Sequence, residues 1–390
     1  MKKLFISLFI SSITYAQINT EVHLFDIKSE NDKWTVSNGK NISNNKGYDS
    51  QPHFYDENTI LFSSSRNGQT DILKYDINSG KKNFISNTPN GGEYSPQRIP
   101  NSKNISAVRL DKDGLQRFYQ YDFKTGVPKE LIKDLVVAYP MWYDQNTIIS
   151  SVILNDSLQL FISDLKKKKN IYITKKTGRS FHKIPNSNLI SFMKKEGKQW
   201  EIWSLDPLSK KTNKIIGTGT NEDVCWLPNG TILASYKNMI LKFTPKTDKQ
   251  WSIFHRFKNE NINNISRIIV NKEGTKLALV AEVSPRVLAQ EQLDGYNKRD
   301  IDAFLKPYAK NVKVYTYPNQ LNYEGIDEMR KRYAPMFEKT KDLHCKILNR
   351  VVKGNVVIDE ELVTANGNKF KAVAIYEITN GKISTVRFVR

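Results

Sequence analysis

A unit of four short antiparallel strands recurs along most of this chain of 390 residues. In the first unit, strands are predicted at residues 51–55, 60–64 and 71–76, and a fourth follows a turn at 78–80. The strands carry aromatic and β-branched residues, whereas the turns carry Asn, Gly and Ser, which tolerate a positive φ. This repeat limits the possible folds more than any other feature.

The unit restarts at regular intervals. Six starts are visible, at Gln51, Ser95, Tyr139, Phe181, Val224 and Ile265. The prolines after the first three starts, Pro52, Pro96 and Pro140, are 44 residues apart each time. A period of this length with four strands per unit is typical of a β-propeller. We therefore predict an all-β, six-bladed β-propeller.

The sixth unit supplies only two strands, at residues 265–270 and 277–282, before the pattern ends. Residues 21–27 repeat the third-strand pattern of residues 72–77, and residues 33–36 can form a fourth strand. We therefore expect the N-terminus to complete the sixth blade, two strands against two. The alternative, a ring left open, would expose two strand edges.

Residues 63–72 read Ser-Ser-Ser-Arg-Asn-Gly-Gln-Thr-Asp-Ile, a pattern that resembles the blades of TolB-like propellers. The resemblance covers residues 20–283. It implies a scaffold of the bacterial envelope that binds a partner, and we expect an unknown protein or glycan as that partner. Since no Gly-x-Ser-x-Gly occurs in these 390 residues, an accompanying α/β-hydrolase domain is not expected.

One position of each inner strand is expected to face the central channel of the propeller. By repeat alignment, this position holds His53, Gln97, Met141, His182, Cys225 and Ser266. His53 and His182 are three blades apart and would face each other across the channel. A ligand or metal site and a merely polar channel lining both stay open, but no carboxylate joins the ring, so we predict no metal and no cofactor.

The first sixteen residues are typical of a signal peptide. Lys2 and Lys3 precede an apolar run at residues 4–13, which is too short to span a bilayer, and the segment ends on the small residue Ala16. We expect cleavage after Ala16, a periplasmic or secreted protein, and no membrane span afterwards. An uncleaved anchor is the alternative.

Cysteine content and charge narrow the function further. Cys225 and Cys345 are the only cysteines and fall in different predicted domains, so a structural disulfide is not expected. The formal net charge is +20, but basic residues are spread over both parts of the chain. Without a basic stripe interleaved with aromatic residues, no binding to nucleic acid is expected. Attraction to an anionic cell surface stays open.

The pattern changes at Ser284, which is predicted to cap a helix beginning at Pro285. Its predicted apolar face consists of Val287, Leu288, Leu293 and Tyr296. Two more helices, from Asp300 and over residues 326–337, are predicted with a strand at 312–317 between them. Four further strands are predicted at 343–352, 356–364, 370–379 and 383–389. The predicted domains are therefore a signal peptide at 1–16, a propeller at 17–284 and an α+β cone at 285–390, with helices packed on a curved antiparallel sheet.

This C-terminal pattern resembles the cone-shaped fold shared by ketosteroid isomerase, SnoaL-like cyclases and nuclear transport factor two. The matching segments are residues 296–302, residues 323–326 with Tyr333, and residues 381–389. The resemblance implies a fold but no single activity, because the family contains isomerases, cyclases, dehydratases and binders without catalysis. It also implies a possible homodimer through this domain.

The isomerase site is not retained in this sequence. The resemblance places the oxyanion-hole tyrosine on Gln292, the general base on Thr316 or Tyr317, and the protonated carboxyl donor on about Ile375. Because both carboxyls are missing, steroid isomerisation by that mechanism is not expected.

A different group of polar residues can face the cone. If Val363 points inward, alternation along the strand also turns Asp359 and Glu361 inward, whereas a register slip of one residue turns them outward. The candidate pocket residues are Gln292, Tyr317, Tyr333, His344, Asp359 and Glu361. Two hypotheses follow. One is an exported binding protein whose cone holds a small apolar ligand; the other is an isomerase, lyase or hydrolase acting on a small carbonyl or ring substrate.

Overall fold

The structure is a computed structural model that describes residues 19–30, 33–45, 47–89, 91–258 and 262–389. The predicted signal peptide and its cleavage site after Ala16 lie outside these residues. Within the described ranges, no helix has both the length and the apolar character needed to cross a membrane.

The first two strands are β1 (Thr20–Glu30) and β2 (Lys33–Asn41). Blade one contains β3 (Asp49–Asp56), β4 (Thr59–Arg66), β5 (Gln69–Asp76) and β6 (Lys82–Phe84). Blade two contains β7 (Gly92–Arg98), β8 (Ile105–Leu110), β9 (Gln116–Tyr121) and β10 (Pro128–Ile132). Blade three contains β11 (Val137–Trp142), β12 (Thr147–Leu154), β13 (Ser157–Asp164) and β14 (Lys169–Lys175).

Blade four contains β15 (Thr177–Lys183), β16 (Ile190–Glu196), β17 (Gln199–Leu205) and β18 (Thr212–Gly219). Blade five contains β19 (Val224–Trp226), β20 (Ile232–Tyr236), β21 (Met239–Phe243) and β22 (Ser252–Arg256). Blade six is formed by β23 (Asn263–Val270) and β24 (Lys276–Glu282) together with β1 and β2. In the described residues, the predicted six-bladed propeller is therefore present.

Strand β1 closes the ring. The sheet order of blade six is β2-β1-β24-β23, so two strands from the start of the chain pair with two from the end of the propeller. β1 runs antiparallel to β24 from the pair Thr20 and Glu282 to the pair Asp26 and Lys276. Val22 and Ile27 on β1 are buried. Opening the ring therefore means losing both a strand pairing and buried apolar surface.

The repeat also appears in the contacts between blades. The indole N–H of Trp142 in blade three donates to the Ser106 hydroxyl in blade two over 2.8 Å. The indole N–H of Trp226 in blade five donates to the Ser191 hydroxyl in blade four, also over 2.8 Å. These buried side chains place the same polar contact at two blade interfaces, where each indole also buries its apolar ring.

The C-terminal domain follows β24 after two residues. Its elements are α1 (Pro285–Lys298), α2 (Ile301–Leu305), β25 (Tyr308–Thr316), β26 (Gln320–Glu324), α3 (Ile326–Lys339), β27 (His344–Lys353), β28 (Val356–Ala365), β29 (Asn368–Thr379) and β30 (Lys382–Val389). Ser284 caps α1 by accepting a hydrogen bond from the N–H of Arg286. One apolar core joins all three helices to the sheet, whose order is β26-β25-β30-β29-β28-β27.

Two expectations for this domain were wrong, and one strand was missed. Strand β26 was not predicted, and the sheet is not purely antiparallel, because β25 and β30 pair in parallel. The parallel pair arises because α3 carries the chain to the far edge and the meander then returns toward β25. Val287 is 38% exposed, whereas Ala289 and Gln292 are buried on α1. Val287 precedes the buried Leu288 by one residue, so it points about 100° away from the core face.

We expect Ile27→Ala to lower the free energy of unfolding of the propeller by about 2–5 kcal/mol, because it creates a cavity where β1 packs against blades five and six. The matched control is Ile253→Ala on the outer strand β22, where the side chain is 54% exposed and the change should stay within about 0.5 kcal/mol. Urea denaturation followed by tryptophan fluorescence measures both. Equal, small changes would show that β1 does not hold the ring closed.

Candidate functional site

The C-terminal domain contains a cavity of about 610 Å³ between its helices and its sheet. Eight of the twenty described lining residues are aromatic, with Tyr296, Phe304, Tyr333, Phe370 and Phe388 among them. A volume in this range suits a small organic ligand, and flat aromatic walls favour a ligand that contains a ring.

Four buried polar side chains form one hydrogen-bonded chain beside the cavity. The Tyr308 hydroxyl donates to Gln292 Oε1 over 3.2 Å, and Gln292 Nε2 donates to the Tyr376 hydroxyl oxygen over 3.0 Å. Tyr376 in turn donates to Glu361 Oε1 over 3.1 Å. All donors therefore point toward the carboxyl group of Glu361, which is where the chain ends.

Glu361 is the titratable carboxyl of the cavity. Burial raises its pKa from 4.5 to about 7, and the negative charge of Asp359 acts in the same direction. The hydrogen bond from Tyr376 and the charge of Arg350 oppose this rise in pKa. Near neutral pH, both protonation states of Glu361 are therefore populated, as a general acid or base requires.

Asp359 lies on the same strand and the same face as Glu361, but it is fully buried and does not line the cavity. Arg350 binds it through two contacts, Nε to Oδ1 at 2.6 Å and Nη2 to Oδ2 at 2.7 Å. A third nitrogen of Arg350, Nη1, donates to Gln290 Oε1 on α1. This bidentate ion pair compensates the charge of Asp359 and fixes the sheet behind Glu361.

Of the six residues predicted for the pocket, Gln292, Tyr333 and Glu361 line the cavity. His344 is exposed, and the adjacent Cys345 points inward instead, because Cys345 pairs with the inward-facing Val363. Tyr317 is 55% exposed and lies beyond the end of β25. The structure therefore contradicts the placement of both His344 and Tyr317 in the pocket.

The propeller channel is a second cavity, of about 350 Å³, and its lining includes His53 and His182. Burial lowers the pKa of each to about 4, so both imidazoles are neutral at physiological pH. Gln97 and Met141 also line it, but Cys225 does not.

Cys225 packs in the apolar core, whereas Asp223, just before β19, faces the channel. Ser266 is likewise absent from the lining, and Arg267 and Ile268 take its place. Among the described residues, no group of three or more His, Cys, Asp or Glu side chains is arranged to hold a metal ion.

Residues 289–386 match the family model of the SnoaL-like domain. The cavity and its hydrogen-bonded chain thus lie in a SnoaL-like domain. A search of curated proteins found no match to the chain.

The propeller is similar in structure to a protein described as a TolB from Agrobacterium tumefaciens, with 12% identity and a TM-score of 0.53 over 68% of this chain and 99% of that chain. This likeness shows the fold. The chain also matches a cystatin-fold protein from Novosphingobium aromaticivorans, with 25% identity and a TM-score of 0.26 over 28% of this chain and 99% of that chain. An NTF2-like protein of unknown function from Cytophaga hutchinsonii matches with 18% identity and a TM-score of 0.24 over 28% of this chain and 90% of that chain.

Sequence reasoning missed Tyr308 and Tyr376 of the SnoaL-like domain. The isomerase comparison placed a carboxyl donor at about Ile375, but the residue that faces the cavity is its neighbour Tyr376, which pairs with the inward-facing Val357. The alternation of side chains along β29 could have identified Tyr376, since Ala374, Tyr376 and Ile378 are all buried.

We expect Glu361 to make the stability of the SnoaL-like domain depend on pH. Folding raises the pKa of Glu361, so the folded domain favours the protonated carboxyl. The resulting stability is fully present below about pH 4.5 and is lost as the pH rises through about 7. The loss should approach about 3 kcal/mol in the wild type and vanish in Glu361→Gln.

Hydrogen exchange of peptides from residues 289–386, corrected for the intrinsic pH dependence, measures this difference. All six tryptophans lie between residues 34 and 251, so their fluorescence reports the propeller alone and serves as an internal control. Identical pH profiles of the two proteins would contradict the assignment of the raised pKa to Glu361.

Proposed function

We propose that this is an exported two-domain binding protein in which the SnoaL-like domain holds a small ring compound and the propeller docks a protein or a glycan. The observation that carries the proposal is the aromatic cavity that ends at Glu361 and Tyr376. Export rests on the N-terminal pattern before Ala16, and sequencing the N-terminus of the mature protein tests it.

The inner end of the cavity supports a ligand with an oxygen function. Among the described residues, Tyr376 is the hydrogen-bond partner of Glu361 and binds Oε1, which leaves Oε2 for a ligand. A protonated carboxyl donates to a carbonyl oxygen, and an ionised one accepts from a hydroxyl group. Either contact also compensates the cost of burying this polar group.

The mouth of the cavity supports an anionic group at the other end of the ligand. Arg332 lines the cavity, is exposed, and lies over the ring of Tyr323 at 4.5 Å from its centroid. It forms no ion pair with any residue that the structure describes. The ligand class that fits both ends is a ring compound with a carbonyl or hydroxyl group inside and a carboxylate outside.

A second candidate function is acid–base catalysis on the same kind of compound. It is favoured by the pKa of about 7 of Glu361, which lets one group both take and return a proton near neutral pH. In an isomerisation, the Glu361 carboxylate would take a proton from a carbon next to the carbonyl and return it to another carbon. Chromatography of ring ketones after incubation with the wild type and with Glu361→Gln separates turnover from binding.

Dimerisation through the C-terminal sheet stays a prediction. The outer face of that sheet exposes apolar side chains, including the paired Val351 and Ile358. Sedimentation of the full chain measures the oligomeric state.

We expect the affinity for a neutral ring ketone to fall about tenfold between pH 6 and pH 8, because the protonated fraction of Glu361 falls by about that factor. Glu361→Gln should bind with no pH dependence over this range. Calorimetric titration of the full chain with a panel of cyclic ketones and ring carboxylates measures both.

The matched control is Glu360→Gln. This neighbouring side chain faces outward, is 43% exposed and meets Lys371 at 3.5 Å, so its substitution should leave the wild-type pH dependence intact. If no compound of the panel binds, or if both variants behave alike, the proposal is wrong.

A further inference from the structure

We propose that the propeller channel is a binding site for a small oxyanion, a carboxylate or a phosphate, held by Arg179 and Arg267. The site is separate from the cavity of the SnoaL-like domain and does not depend on the function proposed for it.

Three charged side chains from successive blades meet in the channel. Arg179, Asp223 and Arg267 belong to blades four, five and six, and each is 44 residues from the next. Arg179 Nη2 lies 2.5 Å from Asp223 Oδ2, and Arg267 Nη1 lies 2.9 Å from Asp223 Oδ1. One carboxylate therefore holds two guanidinium groups side by side.

The contacts with Asp223 do not occupy all the N–H donors of Arg179 and Arg267. Arg179 Nε is buried and forms no hydrogen bond to a described residue, although the carboxylate of Glu222 lies at ion-pair distance, 3.6 Å away. Arg179 Nη2 also donates to the carbonyl of Ser266 over 3.3 Å. Arg267 donates from Nη1 to Asp223, and its guanidinium makes no other hydrogen bond to a residue that the structure describes. The remaining guanidinium N–H groups of this pair can donate to a ligand in the cavity. A fork of guanidinium donors matches the oxygens of a carboxylate or phosphate.

The charge of the channel also favours an anion. Four cationic side chains line it, namely Arg98, Arg179, Lys183 and Arg267. Asp223 is the carboxylate among the described lining residues, and Glu222 compensates part of the charge from behind Arg179. His53 and His182 are neutral at physiological pH, so they add hydrogen-bonding groups without adding charge. The remaining positive charge attracts an anion and repels a metal cation.

A tyrosine of the channel lining lies close to Arg267. Tyr139 lines the channel, and its ring centroid is 5.5 Å from the guanidinium carbon of Arg267. Its phenol O–H can add a donor for one of the remaining oxygens of an anion.

The test uses the full chain and its tryptophan fluorescence, which reports the propeller. Inorganic phosphate, acetate and citrate are each titrated against sodium chloride of equal ionic strength. We expect at least one oxyanion to raise the urea midpoint with saturation, and the comparison among the three identifies phosphate or carboxylate as the preferred chemistry. A lack of any saturable effect beyond that of chloride would overturn the proposal.

Two variants tie the effect to the channel. Arg267→Gln removes one guanidinium and should weaken the oxyanion effect at least tenfold. Ser95→Asp adds a carboxylate to the lining without removing an arginine, at a residue whose φ of 53° an aspartate accepts. It should weaken binding similarly, and it keeps the test decisive if Arg267→Gln folds poorly.

The matched control is Arg117→Gln. Arg117 also bridges two carboxylates, Asp111 and Asp113, but it lies in blade two outside the channel. The oxyanion effect should persist in this variant. If Arg117→Gln loses the effect as much as Arg267→Gln and Ser95→Asp do, the anion binds to the general surface and the proposal fails.

Discussion

The antiparallel pairing of β1 with β24 is the contact on which the rest of the structure depends. A single blade is a small sheet whose two faces must both be covered, and here the neighbouring blades cover them. The first and last blades therefore have to pack against each other. Strand β1 closes the ring by pairing with β24 from Thr20 to Asp26. With the ring closed, the inner strands of the six blades surround the channel in which Arg179 and Arg267 share Asp223.

The closure also determines where the SnoaL-like domain begins. Only Val283 and Ser284 separate β24 from α1. The N–H of Val283 donates to the carbonyl of Asn19, just before β1, so the strand that closes the ring also holds the start of the link. Helix α1 then carries Gln292 into the cavity, where its amide joins Tyr308 to Tyr376. Strand β24, which pairs with β1 in the closed ring, is thus linked through Val283 and Ser284 to the helix that lines the cavity.

Asp359 and Glu361 show how the environment assigns roles to identical functional groups. They are two residues apart on one strand, face the same way and are both buried. Arg350 neutralises Asp359 through two hydrogen bonds, whereas Glu361 receives one from a neutral phenol. A charge in a low-dielectric site is tolerated when it is paired, and otherwise the proton is retained. The cavity therefore contains one carboxyl that can change its protonation state near pH 7.

The sequence by itself determined the six blades, the N-terminal completion of the last blade and the helix capped by Ser284, because these follow from local periodicity and turn chemistry. It also indicated the inward direction of Glu361, provided that the register of β28 was right. Tertiary structure alone decided which of two neighbouring side chains faces the cavity. On β27 it is Cys345 and not His344, and on β29 it is Tyr376 and not Ile375. A shift of one residue reverses every side chain of a strand, and strand pairing sets that register through long-range contacts. The packing of neighbouring blades, which is also a matter of tertiary structure, brings Arg179, Asp223 and Arg267 together from positions 44 residues apart.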